Sequence, residues 1–164
     1  MKKLLCLGMK NIFEVKTCFR NDEFSSIHQP EFQMLEWYRS PSSFEQLQED
    51  LLSLIDYFYS KGLALGNRPE VIRKSVADVF KEYLDFVLLP TTGANELQEL
   101  AISRGLSFDY TTWEDLFLWL FVSEVEPKFP REKLLFLHSY PPQMRVLAKK
   151  TSKGWSDRFE LYWR

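Results

Sequence analysis

The sequence predicts an α+β domain built on an antiparallel sheet with flanking helices. Three observations predict it. Apolar and polar residues alternate from Ile12 to Arg20. Apolar residues then recur at three- and four-residue spacing from Ser43 to about Glu124, and alternation returns from Arg158 to Trp163. Strands, then helices, then strands, in a chain of 164 residues, is the order of an α+β fold with one sizeable core.

The first residues, Met1 to Lys10, suit the end of a short helix packed on the strands that follow. Met1-Lys2-Lys3 before an apolar run imitates a signal peptide, but the run stops at Lys10 and no small-residue cleavage site follows. From Ile12 to Arg20 the pattern is a strand with Phe13, Val15, Thr17 and Phe19 on one face and Glu14, Lys16 and Arg20 on the other. Pro30 marks the start of a second strand, where Phe32, Met34, Glu36 and Tyr38 share a side. Residues 12–39 thus read as an antiparallel hairpin with a loop of about nine residues, longer than a hairpin turn needs. One face is apolar and calls for a core. The other brings Arg20, Glu36 and Tyr38 onto one surface, with Asp22, Glu23 and His28 at its loop end. An arginine fork suits a phosphate or a carboxylate, and a tyrosine beside a carboxylate suits an ammonium. Pattern alone leaves two readings open, a ligand surface or an amphipathic hairpin with a solvated charged face.

Residues 43–125 read as helical. Ser43-x-x-Gln46 is a capping box opening a helix to about Ser60, which Gly62 ends. Pro69 opens a short strand through Val71 and Ile72, and a helix spans Ser75 to Leu84. Asn95 caps a helix to about Arg104. Thr111-x-x-Glu114 is a second capping box, and its helix runs to about Glu124. That helix is apolar nearly all round, so burial on more than one side is expected. Residues 134–163 return to strand around the stiff Tyr140-Pro141-Pro142 turn, with Phe159, Leu161 and Trp163 opposite Arg158, Glu160 and Tyr162.

Composition excludes several function classes. Hydrophobic content of 45% and charged content of 27% are globular values. A net charge of −2 gives no global basic field for nucleic acid. With 14 Phe, 7 Tyr and 5 Trp, aromatic rings are abundant enough that some are expected on a partner-facing surface. Six glycines, with no Walker loop or GxGxxG, exclude a glycine-rich phosphate cradle. No GxSxG elbow or Cys-His signature is present. Cys6 and Cys18 are expected reduced and buried, and two distant histidines make no metal site. His138, in an apolar strand, is expected to be structural. The longest apolar run, Leu116 to Val122, is too short to span a bilayer.

The hairpin segment FRNDEFSSIHQPEFQMLEWY (Phe19 to Tyr38) resembles motif 2 of the class II aminoacyl-tRNA synthetases in its lysine-specific form. MLEWY and the opening MKKLLCLG place the resemblance nearest the paralogous branch that lysylates elongation factor P. WEDLFLWLFVSEVEPKF, FLHSYPPQMRVLAKK and DRFELYW resemble later segments of the same family, in family order. The resemblance covers essentially the whole chain and is weakest from Leu63 to Asn95. It implies one partial synthetase catalytic domain over residues 1–164, with the motif 2 hairpin at 12–39, a helical insert at 43–125 and returning strands at 134–163.

It also implies roles. Arg20 matches the catalytic arginine that holds the ATP α-phosphate and the amino acid carboxylate. Asp22 stands where the family usually has Glu in the adenine-recognising loop, and the shorter side chain puts that contact in doubt. His28 matches a loop histidine near the phosphates, Phe32 the ring that stacks on adenine, and Glu36 and Tyr38 the pair that helps recognise the lysine ammonium. ATP, with Mg2+ in the complete family enzyme, and lysine or a lysine analogue are the implied ligands. Elongation factor P or tRNA is the implied acceptor, in the cytoplasm. The family's motif 1 and motif 3 have no counterpart here. The chain is therefore expected to be an interior fragment, inactive alone, that forms a homodimer or is completed by a missing half. The alternative is a non-catalytic nucleotide-, tRNA- or protein-binding module derived from that fold.

Overall fold

The computed structural model describes residues 1–21, 28–64, 66–107 and 112–163. The chain divides into two units, Met1–Leu65 and Gly66–Arg164.

The first unit contains helix α1 (Lys2–Cys6), strands β1 (Asn11–Phe19) and β2 (Glu31–Arg39), and helix α2 (Phe44–Ser60). β1 and β2 pair antiparallel, with Cys18 opposite Phe32, Lys16 opposite Met34, Glu14 opposite Glu36 and Ile12 opposite Tyr38. The expected two faces are therefore real, but their environments are reversed. The apolar face is the wet one, with Phe13 74%, Val15 60% and Phe19 70% exposed. Residues Ile12, Glu14, Lys16 and Cys18 on the other face are half-buried. Ser43 and Gln46 form the predicted capping box: Gln46 N–H donates to Ser43 Oγ at 3.2 Å, and Ser43 N–H donates to Gln46 Oε1 at 2.9 Å. Arg39 Nη1 donates to Asp50 Oδ1 at 2.6 Å and ties the end of β2 to α2. Among the described residues of this unit only Gln48 and Leu52 are buried. Helix α1 buries nothing. Cys6 is exposed and Cys18 half-buried, both as free thiols, so the expected burial holds at neither cysteine.

The second unit holds the core. Its sheet has the order β3 (Glu70–Ser75), β4 (Lys133–Tyr140), β5 (Ser156–Trp163). β4 and β5 are antiparallel, with Leu135 opposite Tyr162 and Leu137 opposite Glu160, while β3 joins β4 in parallel. The α+β class holds, with the parallel edge strand added. The run Leu134 to Leu137 is 2% exposed or less at every position, because β4 is the central strand and is covered on both faces. A bulge at Ser139, with φ 57°, breaks the β4–β5 register before Tyr140.

Helices α3 (Val76–Leu84), α4 (Ala94–Ser103) and α5 (Trp113–Leu120) pack on this sheet's core cluster. Ser75 and Asp78 cap α3 reciprocally. The caps of α4 and α5 differ from expectation. Gly93, not Asn95, precedes α4, and Glu96 Oε2 accepts its N–H at 2.7 Å. Thr112, not Thr111, caps α5 by accepting the Asp115 N–H; Thr111 lies outside the described residues. A π-helical turn, Phe121–Val125, continues α5. The helix is buried along one broad side only, through Trp113, Leu116, Phe117 and Leu120, while Leu118 and Val122 face water. Phe117 stacks between Phe80 and Trp113, and Phe121, Phe129 and Tyr162 extend the same aromatic cluster.

Candidate functional site on the β1–β2 hairpin

Arg20 follows the last residue of β1, and its N–H donates to the Pro30 carbonyl at 2.9 Å, holding the two strands together where the loop begins. Its guanidinium carbon lies 5.3 Å from the centre of the Phe32 ring. Period-2 geometry explains the meeting. Cys18 faces Phe32, so Arg20, two residues on, projects from the same side and reaches the ring diagonally. A guanidinium on an aromatic face is a cation–π contact that holds the fork in place.

Further along the same face lie Glu36 and Tyr38. At about 3.4 Å per residue, Glu36 stands about 14 Å along the strand from Phe32. The face thus runs from an arginine and an aromatic ring at the loop end to a carboxylate and a phenol at the other. His28 is exposed. Asp22 lies outside the described residues, as do residues 23–27. Among the described residues no group of three or more His, Cys, Asp or Glu could hold a metal ion, so those described offer no cage for Mg2+.

The face carries two residues that sequence reasoning placed there without a role. Lys16 Nζ donates to Glu36 Oε2 at 2.7 Å and lies 3.3 Å from Glu14 Oε2. The hydrogen bonds to Glu36 and Glu14 raise the Lys16 ammonium above its ordinary range. The bond from Lys16 holds the Glu36 carboxyl below 4.5. The period-2 pattern was a sufficient signal for a shared face, but the pairing needed the register.

Open clefts border the hairpin at its other end, lined by Phe13, Leu35, Trp37, Tyr38, Asp50 and Leu54. The Trp37 indole N–H is buried there without a partner among the described residues.

A separate charged network lies in the second unit. Glu160 accepts hydrogen bonds from Tyr162 Oη at 2.6 Å, from Tyr140 Oη at 2.9 Å and from Arg158. Arg158 also lies 4.4 Å from the Tyr140 ring centre and donates to the Met144 carbonyl. Burial pushes the Glu160 carboxyl up, but the donors, Tyr162 and Arg158 foremost, outweigh it and leave the group below 4.5. Burial, reinforced by the Glu160 carboxylate, raises both tyrosines. His138 is half-buried, its ring nitrogen Nδ1 is 2.9 Å from Ser139 Oγ, and burial lowers its pKa.

The family of tRNA synthetases class II (D, K and N) matches residues 1–164. The chain belongs to this class II synthetase family. It is 34% identical over 173 residues to an elongation factor P–(R)-β-lysine ligase of Proteus mirabilis, with the whole chain matched. A ligase of the same name from Buchnera aphidicola subsp. Schizaphis graminum is 31% identical over 169 residues. A homologue from Aquifex aeolicus is 32% identical over 163 residues. The chain spans about half the length of these curated relatives: 50% of the Proteus and Buchnera proteins and 52% of the Aquifex one. Membership in a class II synthetase family similar to these lysine ligases agrees with the α+β architecture and with the motif 2 resemblance of the hairpin. Among the described residues no helix is long and apolar enough to cross a membrane.

Proposed function

We propose that this chain supplies the motif 2 half of an adenylation site in an ATP-dependent ligase for lysine or a lysine analogue such as (R)-β-lysine, with elongation factor P rather than tRNA as acceptor. The observation that carries the reading is the Arg20–Phe32 contact on the face that also presents Glu36 and Tyr38. Phe32 would stack on adenine and Arg20 would hold the α-phosphate and the substrate carboxylate. Glu36 and Tyr38 would receive the side-chain ammonium, and Asp22 and His28 would contribute from the loop. Residues 1–164 would form one partial catalytic domain, acting in the cytoplasm beside its translational acceptor.

The chemistry needs what this face offers. A substrate carboxylate oxygen attacks the α-phosphorus, the bond to the β-phosphate oxygen breaks, and pyrophosphate leaves. Arg20 stabilises the negative charge that builds on the equatorial oxygens. The acyl group then passes from AMP to an amine of the acceptor. Mg2+, if it arrives with ATP, would supply charge screening for the phosphates, and no cluster among the described residues would hold it.

ATP titration of the chain, followed by amide chemical shifts, tests the reading. Loss of a charged hydrogen bond in Arg20→Ala should weaken ATP binding about ten- to a hundredfold. Equal binding by the two proteins, or none by the wild type, would overturn it. The chain matches half of its relatives' length and contributes one face of a hairpin, so lysine-dependent ATP–pyrophosphate exchange by the chain alone is expected to stay at background. A dimer, or a complementing second half, would then be required for turnover.

A further inference from the structure

Glu36, read above as the receiver of a substrate ammonium, already holds one. Lys16 Nζ sits 2.7 Å from Glu36 Oε2, and Glu14 Oε2 lies 3.3 Å from the same nitrogen. The strand register explains why. Glu14 and Glu36 are directly opposite one another, and like charges at directly opposite positions repel. Lys16 is two residues along β1 on the same face, so its four-carbon stem reaches both carboxylates.

Glu14 and Glu36 share the Lys16 ammonium, and the N-terminal ammonium and Lys2 act on Glu36 from farther away. Among the described residues the one cation in direct contact with Glu36 is Lys16, so a substrate ammonium that reaches Glu36 must share or replace that contact. A lysine side chain and a lysine-like substrate carry the same functional group, a primary alkylammonium on a flexible stem. The two therefore compete for one carboxylate by the same hydrogen-bond geometry.

We propose that Lys16 is a resident competitor for the substrate ammonium, occupying Glu36 in the empty site and moving onto Glu14 when substrate arrives. The proposal rests on the assignment of Glu36 as the ammonium receiver. Glu14 becomes a positioning residue, because it gives the displaced Lys16 a counter-charge. With substrate bound, Glu36 faces the substrate ammonium and Glu14 faces Lys16, so each carboxylate keeps a cation in contact. Being tethered, Lys16 acts at high effective concentration, and amines that bind weakly fail to displace it. Its grip is moderate because the cluster is half exposed: the side chains of Lys16, Glu14 and Glu36 are 41%, 40% and 32% accessible.

The proposal makes opposite predictions for the two partners. Lys16→Met should tighten L-lysine binding about two- to fivefold, the range of an exposed ion pair. Glu14→Gln should weaken it, because Lys16 then has only Glu36 to hold. Norleucine, which keeps the α-ammonium but lacks the side-chain ammonium, should bind each protein alike. Amide chemical-shift titrations of the full chain measure all of these, and the spectra report whether the hairpin remains folded. Because Lys16→Met leaves Glu14 and Glu36 unshielded, the double variant K16M/E14Q serves as a second probe and should bind lysine more tightly than Glu14→Gln. Unchanged or weaker lysine binding in Lys16→Met, or a double variant no tighter than Glu14→Gln, overturns the competitor. If Glu36→Gln still loses lysine, the Glu36 assignment survives that result. Equal binding of lysine by wild type and Glu36→Gln, or none by either, overturns both.

Discussion

Glu14 and Glu36 stand directly opposite each other across the β1–β2 ladder, and Lys16 bonds to both. Two carboxylates so placed repel, and the Lys16 ammonium between them offsets that repulsion. The pair therefore has a defined pH window. Glu36 is lowered below 4.5, so its contribution is present above that value and lost as pH falls through the folded-state value. Lys16 is raised above 10.5, so its contribution is present below 10.5 and lost at higher pH. Side-chain NMR should place the Glu36 midpoint below 4.5 in the wild type and shift it upward in Lys16→Met. A midpoint that does not move would show that Lys16 is not its main partner.

The Arg20–Phe32 contact should matter to a nucleotide more than to folding. Phe32→Ala removes a ring from a half-exposed face, and a cation–π contact of about 0.5–1 kcal/mol there corresponds to about a two- to fivefold loss. Loss of the adenine stack would add to it. ATP affinity should fall in Phe32→Ala and be largely retained in Phe32→Tyr, as read by titration. Equal affinities for Phe32→Ala and wild type would remove Phe32 from the nucleotide site.

The Glu160 network should set the acid sensitivity of the second unit. Its carboxyl is lowered, so the stabilisation exists above 4.5 and drains away as pH falls. Glu160→Gln should flatten that part of the pH–stability curve. Tyr140 is 2% exposed, and Tyr140→Phe should cost about 1–2 kcal/mol at neutral pH by removing one donor from the carboxylate. Denaturant melts from pH 7 down to roughly pH 2 measure both effects, since the loss from a lowered carboxylate develops between about pH 5 and pH 1.

Two phenylalanines should behave oppositely on truncation. Phe117 is 1% exposed and stacked between Phe80 and Trp113, so Phe117→Ala should cost about 3–5 kcal/mol. Phe13 is 74% exposed, and Phe13→Ala should stay within about 0.5 kcal/mol. Thermal melts of the two variants would settle it, and a large loss from Phe13→Ala would mean its face is covered in solution.

Much of this architecture can be read from the sequence because the signals are local. Ser43 and Gln46 announce α2 by themselves, since a capping box needs only four residues. At α5 two overlapping boxes compete: Thr111 with Glu114, and Thr112 with Asp115. The shorter Asp accepts from the Thr112 hydroxyl at 2.5 Å and the structure uses that register. At α4 the side chain that caps is Glu96, three residues after a glycine, so a search for a polar N-cap lands on Asn95 instead. The candidate site was legible to the level of a face. Alternation put Glu14, Lys16, Arg20, Glu36 and Tyr38 on one side, but pairing Lys16 with Glu36 required the strand register. Which face of the hairpin is dry is a tertiary fact, and the apolar pattern pointed to the wrong one. The Glu160 network was hidden for the same reason: Tyr140 reaches Glu160 only past the bulge at Ser139.

The uneven distribution of buried residues between the two units has a kinetic consequence. The cluster around Phe80, Phe117 and Leu137 belongs wholly to the second unit, whereas the hairpin depends on its ladder, a half-buried charged face and a few contacts. A two-stranded ribbon with that little apolar cover opens at a small fraction of the global free energy. Backbone amides of β1 and β2 should therefore exchange with deuterium well before those of β4. A ligand bound along Arg20, Phe32 and Glu36 would slow that exchange selectively, which makes protection of the hairpin amides a reporter of occupancy that requires no turnover.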